Sequence, residues 1–346
     1  MAETVKIMRK SVFTFLQNYN HFSSTAALMA MPFSASILLS QAILPSFSSS
    51  SSSSLLFTIY NRIQALFAAA GFPASSEFFA ILNEKLAQTI SSSVITLPFT
   101  LTFFLICKSY VIESLRNPKL KSRPSLSAVF DNFSRIFSTY LWNSILILAA
   151  NATVFALLFL VFNSLESFGL LKSTNSVLFL SASGAVFYSI VLANALIICN
   201  LGLVSSGMER SSNGGGYLST LRACVLIRGR TSTALALTLP LNLAMAAIEA
   251  LFQYRIVRSL TAVLLSSSST TSSFWMVMES LLIFYLYSIM VVLDTVVNCL
   301  FYKNCKAMEE QGRLFCYGIK DDDHDDDAYG YYVYDSLKTL DLEQLP

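Results

Sequence analysis

Residues 217–252 read YLSTLRACVLIRGRTSTALALTLPLNLAMAAIEALF, and this stretch contains both kinds of segment from which the chain is built. Its first part is basic and amphipathic, and its second part is an apolar run that contains Pro240. An apolar helix face bordered by arginines suits a membrane surface, whereas the apolar run suits the membrane interior. We interpret the stretch as a surface helix followed by a spanning helix. The apolar face of the first part consists of Tyr217, Leu218, Leu221, Cys224 and Val225.

The same arrangement occurs at the N terminus. A Ser-Thr-Ala triplet followed by a proline occupies residues 24–32 and again residues 232–240, a constant offset of 208. An amphipathic stretch precedes both copies, and another at residues 126–141 precedes an apolar run without a proline. We therefore predict an all-α polytopic membrane helix bundle of three hairpin repeats, each preceded by a cytosolic amphipathic helix.

The composition of the chain is that of a membrane protein. Hydrophobic residues make up 54% of the sequence and charged residues 13%, against about 25% charged residues in soluble domains. A helix needs about 20 apolar residues to cross a bilayer, and residues 1–316 contain six such segments. Residues 55–72 carry Arg62 near their middle, so we place them at the membrane interface. The predicted spans are 23–44, 90–107, 140–162, 177–203, 234–252 and 274–301.

The distribution of basic residues predicts the orientation. Most of the 23 Lys and Arg residues lie on the side that holds the N terminus, the second and fourth loops and the tail. Lys108, directly after the second predicted span, is counted among them. Because basic loops stay in the cytosol, both termini are predicted to be cytosolic, in an endomembrane (ER or Golgi) or the plasma membrane. The six cysteines lie on this same reducing side, so no disulfide framework is expected.

Low-complexity segments lie between and after the predicted spans. Serine-rich runs at residues 48–54 and 266–273 are expected to be flexible linkers. The tail, residues 317–346, contains KDDDHDDD at residues 320–327 and then four tyrosines. Mutual repulsion of the aspartates and the lack of apolar side chains around them predict a disordered cytosolic tail.

Polar and acidic side chains within the predicted spans are candidates for a functional site, because ionisable groups in lipid are costly. Asp294 lies well inside the sixth span, and an offset of 100 puts Asn194 at the corresponding position of the preceding repeat. A central cluster of such groups would bind a cation or relay protons. The candidates are Asp294, Glu279, Glu249, Asn194, Asn151 and Asn242.

A purely structural interpretation stays open for most of these side chains. Glu249 and Glu279 lie near the lumenal ends of their spans, where a carboxylate can reach water. Asparagine side chains often only hold helices together, at about 1 kcal/mol each. Asp294 differs from the others, because its depth requires a partner or a bound proton.

A packing pattern follows the fourth predicted span. Small residues recur at every fourth position, and small side chains let two helix backbones approach closely. We expect the tightest helix contact of the bundle along this ridge. The ridge consists of Ser181, Ala185, Ser189 and Ala193.

Enzymatic chemistry has little support in the sequence. The two histidines, His21 and His324, lie outside the predicted spans, so a histidine-based metal site or Ser/His pair within the membrane is not expected. Glycines at residues 214–216 lack the Lys and Ser/Thr of a phosphate-binding loop. We expect no catalytic residue, no cofactor, no metal and no nucleic-acid partner.

Two functions remain. The first is a non-enzymatic membrane protein that organises lipid or partner proteins, because basic amphipathic helices suit the anionic lipids of the cytosolic leaflet. The same helices would alternatively pack on the cytosolic face of the bundle itself. The second function is a transporter or channel that uses Asp294, Glu279 and Asn194. The identity of any protein partner does not follow from the sequence.

The N-terminal stretch TVKIMRKSVFTFLQNYNHFSSTAALMAMPFSASILL, residues 4–39, carries a resemblance. It resembles a family of uncharacterised plant multi-pass membrane proteins, in which a short amphipathic segment precedes an apolar span with a proline near its middle. The unit is also similar, more distantly, to the membrane domain beside some bacterial glycerophosphodiester phosphodiesterases. The resemblance covers most of residues 1–316 and implies six spans, but it implies no activity and no catalytic residue.

Overall fold

The computed structural model describes residues 2–48, 55–69, 77–116, 126–167, 174–209, 215–258 and 270–318, and within these ranges it contains helices and turns but no strand. Contacts divide the chain into two compact units, Met1–Tyr302 and Lys303–Pro346. The helices are α1 (Ala2–Gln17), α2 (Tyr19–Thr25), α3 (Met31–Ser48), α4 (Leu55–Ala69), α5 (Glu77–Phe99), α6 (Leu105–Arg116), α7 (Leu126–Ser167), α8 (Thr174–Met208), α9 (Tyr217–Ile227), α10 (Thr231–Phe252) and α11 (Thr270–Gly318).

Six helical segments of the described residues are long and apolar enough to cross a membrane. They confirm the predicted number of spans and the all-helical class, and they indicate an integral membrane protein. Several of them join consecutive helices across a π-helical turn, which keeps the chain helical without a break. The segments are Tyr19–Ser40, Leu86–Arg116, Ser127–Leu165, Ala182–Met208, Thr231–Val257 and Phe274–Gln311.

The separate surface helix expected before the third span does not form. Helix α7 runs without interruption through the predicted amphipathic stretch and the predicted span. Its sequence contains neither glycine nor proline, so nothing breaks the hydrogen-bond ladder. By contrast, Gly229 separates α9 from α10 with a φ of 83°. That left-handed conformation is accessible to glycine at little cost. The chain therefore turns between α9 and α10, whereas α7 continues straight into its span.

One apolar cluster joins the first, fifth and sixth spans. The rings of Phe252 and Phe284 lie 5.6 Å apart between the fifth and sixth spans. The Ser288 hydroxyl donates a 3.0 Å hydrogen bond to Ser34 in the first span. The first and last hairpins therefore share one core. Its buried members are Phe33, Leu38, Ala42, Ile248, Phe252, Ile256, Ile283, Phe284, Tyr287 and Val291.

Helices α7 and α8 form a hairpin, and α8 makes close contacts with α7 and with α6 at two glycines. A Cβ atom at Gly184 would come within 2.9 Å of Leu158, and one at Gly207 within 2.9 Å of Ile112. The predicted ridge of small residues does not coincide with these contacts, because Ala185 and Ser189 are exposed. Ala193 is half-buried, and the side chain of Ser181 lies outside the described residues. Glycine permits the closest approach because it has no side chain at all.

Three predicted segments fall wholly or mostly outside the described residues. They are the two serine-rich runs and the acidic tail, of which only the first residues belong to α11. The interfacial segment predicted at residues 55–72 forms α4, in which Arg62 is exposed. Helix α4 packs against α5.

Candidate functional site

A lysine and an aspartate are buried together inside the bundle. Lys108 of α6 is only 2% exposed, and Asp294 of α11 is 9% exposed. The two side chains lie near enough to attract each other electrostatically. Among the described residues, however, no ion pair within 4.0 Å joins them. The amine and the carboxylate thus face a common region of the interior without direct contact.

Polar partners from two helices surround this pair. The Lys108 Nζ donates a 3.4 Å hydrogen bond to Oδ1 of Asn200 on α8. The Asn298 side chain donates to the backbone oxygen of Asp294 at 2.9 Å and interacts with its carboxylate as well. The site therefore lies where the second, fourth and sixth spans meet.

A π-helical turn determines which way Lys108 faces. Residues Thr100–Phe104 form this turn directly after Pro98, whose carbonyl accepts a 2.7 Å hydrogen bond from Thr102. A π-turn adds one residue to a helix and so rotates the following residues by about 100°. The Phe104 ring then lies 4.7 Å from the Lys108 amine and 4.6 Å from the Phe33 ring. The lysine is thereby held toward the interior, against an aromatic face that favours a cation.

The sequence predicts that Lys108 lies in a loop directly after the second span, and the prediction of a loop is wrong. The helix that contains the second span continues to Arg116, and Lys108 lies within it. A usable signal was present, because Leu105, Val111 and Ile112 surround this lysine at helical spacing. That pattern is typical of a buried position and not of a loop.

The other predicted polar candidates are dispersed and do not form a cluster with Asp294. Asn194 is exposed and bonds only to the Ile190 carbonyl of its own helix, so the offset of 100 does not bring it opposite Asp294. Matching positions in two repeats need not face the same way. Glu279 forms a 2.7 Å ion pair with Arg255 at partly exposed positions.

The remaining three candidates also lie apart from the pair. Glu249 accepts a 3.0 Å hydrogen bond from Tyr287, which connects the fifth and sixth spans. Asn151 accepts a 3.0 Å hydrogen bond from Tyr188, which connects α7 and α8. Asn242 is exposed on α10. These contacts match the structural interpretation, in which polar groups join neighbouring helices.

The sequence places His21 outside the predicted spans, but in the structure it lies within the first candidate spanning segment, Tyr19–Ser40. Its Nε2 is 3.1 Å from the Ser114 hydroxyl, and its ring is 5.2 Å from the ring of Tyr110. The histidine therefore joins α2 to the end of α6.

A second buried polar centre, Asn143, holds three helices together. The Asn143 side-chain nitrogen donates a 2.8 Å hydrogen bond to the Cys199 carbonyl of α8. Its Oδ1 accepts a 2.8 Å hydrogen bond from the Thr220 hydroxyl of α9. Nearby, the Gly216 amide donates to the Thr139 hydroxyl at 3.0 Å. These bonds attach α9 to the α7–α8 hairpin through its small and polar side chains.

Helix α9 presents its large apolar side chains outward. The residues that pack against the hairpin are Ser219, Thr220, Ala223 and Ile227. The opposite face exposes Tyr217 at 55%, Leu221 at 56% and Val225 at 72%. Exposed apolar surface of this kind needs lipid or a partner to cover it. Of the five residues that the sequence places on one apolar face, Cys224 is half-buried and the other four are exposed.

Charged groups accompany the outward face of α9. Arg222 forms an ion pair with Glu209 at the end of α8, and Arg228 is exposed at the end of α9. The other oxygen of Glu209 accepts a 3.0 Å hydrogen bond from Tyr302. Arg135 donates to the Glu209 backbone oxygen at 3.3 Å, so this corner connects α7, α8, α9 and α11.

Helix α1 combines packing and exposure in the same manner. It buries Ile7, Ser11 and Phe15, and it exposes several apolar and basic side chains. This combination of buried, apolar and basic side chains is typical of interfacial helices. The exposed side chains are Val5, Phe13, Leu16, Lys6, Arg9 and Lys10.

The thiol of Cys224 on α9 provides a test of this arrangement. Burial raises the pKa of Cys224 above that of an ordinary thiol. Because the thiolate is the reactive form, we expect a maleimide to label Cys224 slowly at neutral pH and faster as the pH rises. Peptide mapping by mass spectrometry measures the rate. A cysteine introduced by Arg228→Cys is the exposed control, and equal rates at the two positions would contradict the packing of α9.

The sequence matches one family model, described as a domain of unknown function (DUF8558), over residues 2–315. No curated protein and no solved structure matches the chain. The matched residues include all six candidate spanning segments and helices α1 and α9. The chain therefore belongs to the DUF8558 family.

Proposed function

We propose that this integral membrane protein is a non-enzymatic organiser that gathers anionic lipids at its cytosolic surface, and through them partner proteins. The outward apolar face of α9 carries this proposal. A helix that only completed the bundle would bury its large side chains, whereas α9 buries its small ones. Its outward face supplies apolar area for the lipid tails, and Arg228 supplies charge for the headgroups.

The positive charge of the surface helices favours anionic lipid over neutral lipid. The cytosolic leaflet is negatively charged, and each Lys or Arg near it contributes about 1 kcal/mol of attraction. Helices α1 and α9 both expose basic side chains beside exposed apolar ones. In this proposal both termini are cytosolic, in an endomembrane or the plasma membrane, because most of the basic residues lie on that side.

We expect the double variant Arg9→Gln with Arg228→Gln to lower the association constant for phosphatidylserine about thirtyfold, because two charges at about 1 kcal/mol each are removed. The full chain is reconstituted in nanodiscs, and selectivity for spin-labelled phosphatidylserine over phosphatidylcholine is measured by electron paramagnetic resonance. The matched control is Arg62→Gln with Arg258→Gln, which removes the same charge from α4 and from the helix end after the fifth span.

The control should retain the selectivity of the unaltered protein. Equal selectivity in both double variants, or no preference for phosphatidylserine in the unaltered protein, would end the proposal. Locating tags at the two chain ends tests the orientation separately, and tags on opposite faces of the membrane would contradict it.

Transport remains the second candidate, in a changed form. Glu279 forms an ion pair with Arg255, and Asn194 bonds within its own helix, so this candidate now rests on Asp294 and Lys108. What favours this candidate is the burial of Asp294 beside Lys108. An intramembrane ionisable pair of this kind marks a functional site by default.

A further inference from the structure

The Lys108 and Asp294 side chains are oppositely charged in their ordinary states, buried, and not in contact. The ammonium group of a lysine offers three donors, and Lys108 donates one hydrogen bond, at 3.4 Å, to Asn200. The Asp294 carboxylate interacts with Asn298 and attracts the lysine from beyond 4.0 Å. Hydrogen-bonded water can connect two polar groups that do not touch each other.

Physical chemistry makes this arrangement unstable as a fixed ion pair. Burying two charges costs several kcal/mol per ion, and close contact with good geometry is needed to offset the cost. The observed geometry lacks that contact. Moving one proton from the amine to the carboxylate removes both charges without changing the net charge. The charged and neutral forms of the pair are thereby brought close in energy.

We propose that Lys108 and Asp294, with Asn200, form an intramembrane proton-binding site whose ligand is a single exchangeable proton. An N–H bond of the ammonium breaks, an O–H bond forms at the carboxylate, and a bridging water passes the proton between them. The products are a neutral amine and a carboxylic acid, so charge and atoms balance. Uptake of one proton from solution by either form of the pair gives an ammonium beside a carboxylic acid. The site then carries one positive charge, and the population of the acid rises as the pH falls.

The other titratable groups around the site are few and uncharged in their ordinary states. Cys107 adjoins Lys108 on α6, and Cys299 and Tyr287 face the pair from α11. Helix α8 contributes the amide of Asn200. Beside the effect of burial itself, the charged group that acts on each member of the pair is the other member.

Occupancy of this site affects how the spans are held together. Lys108 belongs to the second span and Asp294 to the sixth, so their attraction acts between two helices. In the neutral form that attraction is lost. The π-turn that positions Lys108 lies within the same helix, and such turns are frequent at functional positions. The inference does not depend on lipid binding by α1 and α9.

The test is infrared difference spectroscopy of the full chain in nanodiscs across a pH titration. We expect a carboxylic acid C=O band that changes in intensity with pH and shifts on exchange into D2O. Asp294→Asn should abolish the band. Glu249→Gln and Glu113→Gln, which remove other carboxyls of the spans, should retain it. Lys108→Met should leave the band present but no longer responsive to pH, because a buried carboxyl without its cation keeps the proton.

The double variant Lys108→Gln with Asp294→Asn covers the case in which Asp294→Asn alone does not fold, since it leaves no unpaired charge. It should also lack the band. A band that persists in either variant belongs to another carboxyl and overturns the proposal. Absence of any pH-dependent band in the unaltered protein overturns it as well, as does an unchanged titration in Lys108→Met. A loss of lipid selectivity with the band retained would concern the surface helices alone.

Discussion

Lys108→Met is expected to lower the free energy of unfolding by about 3–5 kcal/mol at neutral pH. The substitution leaves Asp294 buried without its cation. An ordinary carboxyl has a pKa near 3.9, so binding a proton at pH 7 costs about 4 kcal/mol, which agrees with that range. The loss should shrink as the pH falls, because protonation of the isolated carboxyl then costs less.

Equilibrium unfolding in mixed SDS and dodecyl maltoside micelles measures this effect. Lys6→Met is the matched control, because Lys6 is exposed on α1 and its replacement should change stability by less than about 0.5 kcal/mol. Adding Asp294→Asn to Lys108→Met should restore most of the lost stability, since no unpaired charge remains. If the double variant were as unstable as the single one, the cost would come from lost packing and not from charge.

Asn143→Leu is expected to lower the free energy of unfolding by about 2–4 kcal/mol. Leucine has a similar volume but leaves the Cys199 carbonyl and the Thr220 hydroxyl without the hydrogen bonds that Asn143 supplies. Each buried polar group left unpaired costs about 1–3 kcal/mol. Because Thr220 belongs to α9, this helix should also loosen from the hairpin.

The same micelle assay measures the stability, and maleimide labelling of Cys224 reports the attachment of α9. Asn194→Leu is the control, because Asn194 is exposed and bonds only within its own helix. It should change stability by less than about 0.5 kcal/mol and leave the labelling rate unchanged. Equal losses in the two variants would show that any asparagine in a span matters alike, and that Asn143 has no special connecting role.

The number of spans could be predicted because crossing a bilayer is a requirement on a single segment. Length and apolar composition are local properties, so each of the six runs could be recognised alone. Helix ends were harder to place. Lys108 was assigned to a loop because a charge next to an apolar run usually marks a membrane boundary, yet the helix continues to Arg116.

The candidate site could be predicted only in part, for a related reason. Asp294 was recognised as needing a partner, because burial of a carboxylate in lipid is costly wherever it occurs. Its partner comes from a helix far away in sequence, and repeat matching pointed to Asn194 instead. A shared offset compares positions in the chain, whereas contact depends on helix rotation. One π-turn after Pro98 changes that rotation by about 100°.

Six apolar helices, basic amphipathic segments and a deeply placed aspartate can all be read from the sequence. Each of these is a property of a single segment and does not depend on how the helices pack. The packing of the helices places Lys108 near Asp294 without contact, joins three helices at Asn143 and turns the large side chains of α9 outward. Side-chain partners in lipid depend on how helices rotate and approach one another. Glycine contacts and π-turns set that geometry without changing the apolar pattern that sequence reasoning uses.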